Sequence, residues 1–433
     1  MPSIGRQLQL HGGIGPGFDA ARVALALAIL CWHSVMTSYG LEAELAVWAS
    51  PYSAPLSALM PMFFALSGFL VMGSFERTRD LKTFLGLRAL RILPALTTEI
   101  LISAFVLGSL LTTRPLASYF TDPLFFKYFG SLVGKVSVAL PGVFETNPRP
   151  GLVNVSLWTI APELTCYMYL GLQVALRLRR FGVTVAACAL ILANVAADVG
   201  GAPTSGADGV VLSRFLVLSF ALGNLLYVWR DRIPFRWDLA GLCAGAGLLL
   251  VRDPHLVYVA LAGFAYLIVF VGCCRVPLPY PFSTGDYSYG IYLYAFPIQQ
   301  TFAQFFPDHR QVYWSILACV PVVCCIAFAS WWLVEKPALR FRRFLRGSKP
   351  ASDVPSAPSM AFAATTLTAY GFLLALSSGF FAAGFAKTEA FAVAVPAAIG
   401  SAAIVALLRA RFLRTRSVPG IVFATAGQDA TRA

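Results

Sequence analysis

The feature that most constrains this chain is an apolar stretch near its N-terminus, residues 18–37, which is long enough to cross a bilayer as an α-helix. It carries Arg22 near one end and His33 toward the other. Eleven residues of helix rise about 16 Å and return almost to the same face, so the two side chains share that face. A guanidinium near the centre of a spanning helix costs about 2.5–3.5 kcal/mol. Neither residue is therefore expected to face lipid.

Composition extends this interpretation to the whole chain. Of its 433 residues, 58% are hydrophobic and only 12% are charged. A soluble globular protein carries about twice that charge. We therefore expect a polytopic membrane protein. The N-terminus is polar and glycine-rich with no cleavage signal, so the first helix is expected to remain as a signal anchor.

Apolar windows predict twelve membrane spans, at residues 19–37, 55–74, 94–112, 152–174, 182–199, 210–228, 239–251, 254–272, 284–306, 312–334, 361–381 and 390–408. Most of the 33 Lys and Arg residues lie in alternate connections, and the positive-inside rule then makes both termini cytoplasmic. The net charge of +13 reflects this topology, and we expect no binding to nucleic acid. The long aromatic connection at 113–151 is expected on the external surface or over its mouth.

These observations predict an all-α fold, a polytopic transmembrane helical bundle of about ten core spans plus a C-terminal two-helix hairpin. The predicted domains are a transmembrane domain at 1–346, a Pro- and Ser-rich linker at 347–359, and the hairpin with a basic tail at 360–433.

Two of the four chemically suggestive motifs lie in the first two spans. Arg22 and His33 are as readily explained by an arginine that reaches the headgroups and a histidine satisfied inside the bundle. In the second span, F-F-A-L-S-G-F-L-V at 63–71 contains Ser67 and Gly68. Small residues at that position also permit close helix packing.

The other two motifs bring further charges to the bundle. Arg88 and Arg91 form an R-x-x-R pair one helical turn apart. Such a pair anchors a span on its cytoplasmic side or binds phosphate oxygens. Glu163 lies near mid-membrane in S-L-W-T-I-A-P-E, residues 156–163. An intramembrane carboxylate faces either a wet functional cavity or a basic structural partner.

Taken together and in order, these motifs resemble the acyltransferase-3 family of integral-membrane O-acyltransferases. The resemblance covers about residues 18–346, and its later elements are S-Y-x-I-Y-L at 288–293 and E-K-P at 335–337. Many relatives have Trp and His after I-Y-L, where this chain has Tyr294 and Phe296. Many also have a C-terminal extracytoplasmic esterase-like domain, whereas this chain has two apolar helices.

The resemblance implies transfer of an acyl group, most often acetyl, from cytoplasmic acyl-CoA to a hydroxyl of a surface glycan or its lipid-linked precursor. The enzyme would lie among the lipids of a bacterial cytoplasmic membrane, with acyl-CoA as co-substrate and no permanently bound cofactor or metal. Arg22, Arg88 and Arg91 would bind the anionic CoA head at the cytoplasmic entrance. His33 would act as the general base or as a nucleophile that forms a transient acyl-His intermediate, and Glu163 would orient it.

Three further residues are candidates for substrate binding, namely Trp158, Ser67 and Tyr292.

The sequence leaves other functions open. The acceptor can instead be a small molecule such as a macrolide. Intramembrane Arg, His and Glu also suit a transporter or flippase of acyl or glycan units. A transporter more often shows internal repeats, and the sequence shows none. A non-catalytic partner in glycan export is a third possibility.

Overall fold

The computed structural model describes residues 2–78, 80–176, 178–199 and 212–345. The predicted linker at 347–359 and the predicted hairpin at 360–433 lie outside these residues.

The longer helices coincide in order with the first ten apolar windows. They are Phe18–Ala49, Ser53–Thr78, Leu81–Leu101, Ile160–Ala175, Arg180–Val199, Ser213–Val228, Trp237–Leu250, Val257–Cys273, Ser288–Phe305 and Val312–Ser330. Within the described residues, five helical stretches are long and apolar enough to cross a membrane. The all-helical character is confirmed, whereas the count of ten spans and the location of the termini stay predictions.

The first long helix turns back on itself at Gly40. This residue has non-helical backbone angles, with φ of 82° and ψ of −165°. The ring centroids of Trp32 and Trp48 lie 5.4 Å apart, whereas a straight helix would separate these residues by about 24 Å along its axis. A left-handed φ favours glycine. The helix Phe18–Ala49 is thus a span like the one predicted at 19–37, followed by a segment that returns toward its middle.

Two glycines let the helices Ser53–Thr78 and Ser213–Val228 approach closely. A Cβ on Gly68 would overlap the carbonyl oxygen of Phe220, and a Cβ on Gly223 would overlap that of Ala65. The structure therefore supports the packing interpretation of the Ser67-Gly68 pair. Ser67 itself is half-buried.

The third long helix begins well before the predicted window at 94–112. Asp80 caps it by accepting a 2.7 Å hydrogen bond from the backbone N–H of Thr83. The helix continues beyond Leu101 as a π-helical segment, Ile102–Leu107. Arg88 and Arg91 consequently lie inside a helix rather than at its entrance.

The connection between the third and fourth long helices penetrates the bundle. Tyr119, Tyr128, Phe144 and Val153 are all at most 1% exposed. The buried part of this connection is therefore packed into the bundle, and its position at the membrane surface or over the external mouth stays a prediction. Its aromatic residues are part of a core that includes Leu96 and Ile100 of the third helix, because burying large rings away from water is strongly favourable.

Candidate active site

A cavity of about 440 Å³ opens where the first three long helices meet the segment before Ser288–Phe305. Five arginines and two aspartates are among its lining residues, namely Arg22, Arg77, Arg88, Arg91, Arg342, Asp19 and Asp286. We refer to this space as the arginine cavity. Its lining carries an excess of positive charge, which suits an anionic ligand.

Two of the three predicted arginines are held by carboxylates. Oδ2 of Asp286 lies 2.8 Å from Nη1 of Arg22 and 2.6 Å from Nη2 of Arg91. Arg22 also pairs with Asp19, and Arg91 lies 2.8 Å from Oε2 of Glu335, which is 1% exposed. This network of two arginines and three carboxylates has a formal charge of −1.

Asp286 lies in the non-helical segment just before the helix Ser288–Phe305. Burial raises the pKa of its carboxyl, but the positive charges of Arg22 and Arg91 outweigh that effect and lower the pKa to about 2. Its carboxyl also accepts a 2.7 Å hydrogen bond from Oγ of Ser288. Asp286 is therefore an ionised counter-ion for both arginines at neutral pH.

Arg88 differs from its two neighbours. Its guanidinium contacts only Oγ of Ser74, at 3.5 Å, and the ring of Phe84, at 5.9 Å. Its Nε is buried without a hydrogen-bond partner, and no carboxylate pairs with it among the residues described. Arg88 is thus the one predicted phosphate ligand at the cavity that forms no ion pair with the described residues.

His33 lies inside the bundle, about 16 Å along its helix from Arg22. It is 6% exposed, and its Nδ1 is buried without a hydrogen-bond partner in the described part of the chain. Phe296 packs edge-on against the imidazole, with ring centroids 5.3 Å apart. Phe296, which stands where the resemblance implies His in many members, thus contacts His33. In the tautomer that carries its proton on Nε2, Nδ1 can accept a proton.

Glu163 does not hydrogen-bond to His33 within the described residues. Its Oε1 accepts a 2.7 Å hydrogen bond from the hydroxyl of Tyr167, one helical turn later. It also interacts electrostatically with Arg88 and Arg91. Glu163 is not among the described residues that line the arginine cavity, and its role as a partner of His33 stays a prediction.

Tyr292 has partners within the protein. Its hydroxyl donates to the carbonyl of Ser156 at 3.1 Å and lies 3.1 Å from Oγ1 of Thr159. Trp158, from the same short segment, is half-buried against the largest core cluster. These contacts give Tyr292 and Trp158 structural roles, while the binding of substrate by them or by Ser67 remains a prediction.

Besides Glu44, which is described below, three carboxylates that are buried or pair with Arg91 were not assigned from the sequence. Glu335 was visible only as part of E-K-P, and Asp286 precedes S-Y-x-I-Y-L by two residues. Glu99 lies in the apolar window at 94–112, where a carboxylate is by itself a signal. The pairing of Arg91 with Glu335 joins residues 244 positions apart. No local pattern predicts such a contact.

Glu99 anchors the buried connection. Its Oε1 accepts hydrogen bonds from Oγ of Ser103 at 2.7 Å, from the hydroxyl of Tyr128 at 3.3 Å and from Nδ2 of Asn154 at 2.8 Å. Asn154 also donates to the carbonyl of Leu293 at 3.0 Å. These bonds fix the start of the segment that carries Trp158 and Glu163.

Comparison with known proteins gives a consistent result. The family model described as an acyltransferase domain, Acyl_transf_3, matches residues 16–334. An O-acetyl transferase of Shigella phage Sf6 is 27% identical over 343 residues, which cover 77% of this chain and 97% of the relative. Nodulation protein 10 of Rhizobium leguminosarum bv. viciae is 28% identical over 323 residues, 68% of this chain and 84% of the relative. No solved structure matches the chain.

Proposed function

Because this chain belongs to the acyltransferase-3 family, we propose that it is a membrane O-acyltransferase with cytoplasmic acyl-CoA as donor. The acceptor in this proposal is a hydroxyl of an extracytoplasmic or lipid-linked glycan. The name of the phage relative, an O-acetyl transferase, supports acetyl as the transferred group. The membrane is proposed to be the bacterial cytoplasmic membrane, with the arginine cavity facing the cytoplasm.

The observation that carries the proposal is the relation between the arginine cavity and His33. The cavity offers positive charge at one end of the first helix, and a buried imidazole with a free Nδ1 lies about 16 Å further along. An extended pantetheine arm can span that distance. The thioester would then reach His33 while the phosphates stay at the cavity.

Arg88 is the most favourable ligand for the donor phosphates. Phosphate gains little from Arg22 and Arg91, because their network with Asp19, Asp286 and Glu335 already has a negative formal charge. Arg88 has no such partner and lines the same cavity. Charge-assisted contacts from Arg to phosphate are among the stronger hydrogen bonds.

The chemical step follows from a neutral imidazole. Nδ1 of His33 takes the proton of the acceptor hydroxyl as its oxygen attacks the thioester carbonyl. An ester C–O bond forms, the C–S bond breaks, and the CoA thiolate takes the proton back from the imidazolium. The electrostatic interaction of Glu163 with Arg88 supports a role for this carboxylate on the donor side of His33.

Purified protein in detergent, supplied with acetyl-CoA carrying a radioactive acetyl group, tests the donor and the reaction type. Mass spectrometry of surface glycans from cells with and without the intact gene tests the acceptor. We expect acetyl esters on the glycan only when the gene is present. Movement of glycan or acyl units with no covalent transfer would instead favour a transporter.

A further inference from the structure

A second polar group of residues packs against the helix of His33, in the part of that helix that lies beyond His33 from Arg22. Glu44 and Trp48 belong to the returning segment after Gly40, and Asn147 and Arg149 belong to the buried connection. We call these four residues, together with Gln299, the polar cluster. None of them has a part in the donor site.

Hydrogen bonds and a ring contact join the polar cluster to the helix of His33. Nε2 of Gln299 donates to the carbonyl of Leu30 at 2.8 Å and to Oγ of Ser34 at 2.6 Å. Leu30 and Ser34 are about one helical turn apart, and His33 lies between them in the sequence. The ring of Trp48 packs against that of Trp32, the residue before His33. The cluster therefore lies at the level of the imidazole.

Contacts also join the connection to the returning segment. Arg149 pairs with Glu44, with Nε and Oε2 3.3 Å apart, and Glu44 is 2% exposed. Asn147 donates from Nδ2 to the carbonyl and to Oε1 of Gln300, at 2.8 and 2.9 Å. Two chain segments that are far apart in sequence thus converge, and Asn147 joins them to the residue next to Gln299.

The polar cluster contains buried polar atoms with no hydrogen-bond partner among the described residues. Apart from Oε2 of Glu44 and Nε of Arg149, which form the ion pair, they are one donor, Nε1 of Trp48, and two acceptors, Oδ1 of Asn147 and Oε1 of Gln299. Asn147 is 5% exposed and Gln299 is fully buried. Buried polar groups in native proteins are nearly always satisfied. A ligand that both donates and accepts hydrogen bonds would complete all three.

The net charge of the polar cluster indicates whether its ligand is charged or neutral. Its ion pair, Glu44 with Arg149, has no net charge, in contrast to the arginine cavity. A neutral ligand rich in hydroxyl groups fits both the mixed hydrogen-bonding capacity and the neutral charge. The indole of Trp48 adds a flat apolar face of the kind that packs on the apolar side of a ring.

We infer that the polar cluster is the binding site for a neutral, hydroxyl-rich acceptor glycan and directs one hydroxyl to Nδ1 of His33. This inference rests on the proposed function and adds the place and the chemistry of acceptor binding. Donor and acceptor then reach the imidazole from opposite ends of its helix. Substitutions in the polar cluster should therefore impair acceptor binding without impairing donor binding at the arginine cavity.

Two mild substitutions test the inference. Trp48→Phe removes the unpaired N–H and keeps an aromatic ring, and Arg149→Lys keeps the charge opposite Glu44 but loses the planar guanidinium. We expect about two- to tenfold less acetylation of surface glycan with Trp48→Phe and about tenfold less with Arg149→Lys. The affinity of the purified variants for CoA, measured by calorimetry, should equal that of the wild type. Trp237→Phe is the matched control, since Trp237 is 73% exposed.

Each outcome decides the matter. Reduced acetylation with unchanged CoA affinity, membrane level and thermal unfolding supports the inference. Acetylation equal to that of Trp237→Phe overturns it, as does a parallel loss of CoA affinity, which would assign the cluster to the donor site or to folding. If wild-type cells carry no acetylated glycan while purified protein still hydrolyses acetyl-CoA, the glycan acceptor of the proposed function is wrong and this inference is wrong with it.

Discussion

Arg22, Arg88 and Arg91 line one cavity but differ in their partners. Spacing along a helix shows that Arg88 and Arg91 point the same way, yet it cannot show which of them meets a carboxylate. Arg91 lies between Asp286 and Glu335, and Arg88 does not. The two residues of the R-x-x-R pair are therefore expected to respond differently to substitution.

Replacing Arg88 by Ala should mainly raise the KM for acyl-CoA, by about ten- to a hundredfold, because one charge-assisted contact to phosphate is lost. Replacing Arg91 by Ala should lower stability by about 3–5 kcal/mol, because it leaves Glu335 buried without its cation. Acyl-CoA titrations and unfolding of both purified variants in detergent separate the two effects. Equal KM values in Arg88→Ala and the wild type would show that Arg88 only anchors its helix.

At the scale of the helices, the turn at Gly40 is the feature with the clearest consequence for function. It returns Glu44 and Trp48 toward His33, and a Cβ at Gly40 would lie 2.5 Å from the carbonyl oxygen of Pro148. The arginine cavity lies at the other end of the same helix. A defect at Gly40 should therefore affect the acceptor side more than the donor side.

Gly40→Ala should lower stability by about 1–3 kcal/mol, because the alanine would keep a left-handed φ and also meet Pro148. Glycan acetylation should fall while CoA affinity is retained. Gly241→Ala is the matched control, since a Cβ there meets nothing within 4 Å. If Gly40→Ala acetylates glycan and unfolds like Gly241→Ala, the turn tolerates a side chain and does not constrain the acceptor site.

How far the sequence predicts the fold follows from the physics of each element. Long apolar windows predict helices well because hydropathy along the sequence is enough to identify them. The helix Val257–Cys273, for example, matches the window at 254–272. The turn at Gly40 was missed because a single glycine within an apolar pattern is also compatible with a continuous helix. Arg22 and His33 were identified because charges in a span are exceptional. Asp286 and Glu44 were missed because their partners are distant in sequence.

At the scale of the whole molecule, every residue assigned to a donor or acceptor role precedes residue 346. Removal of residues 347–433, which lie outside the described part of the chain, should therefore leave measurable acyl-CoA-dependent transfer. The assay is transfer of radioactive acetyl by the truncated protein, with CoA affinity and membrane insertion as controls. A truncated protein that inserts and binds CoA normally yet transfers nothing would assign the removed residues to the active site.

The central claim is that donor and acceptor meet at the imidazole of His33. Transfer of radioactive acetyl from acetyl-CoA to surface glycan by His33→Ala tests it most directly, beside His255→Ala, which alters an exposed histidine of a connection. The account predicts that His33→Ala inserts in the membrane and binds CoA with wild-type affinity but transfers no acetyl group, whereas His255→Ala transfers normally. Full transfer by His33→Ala at normal expression would contradict the account.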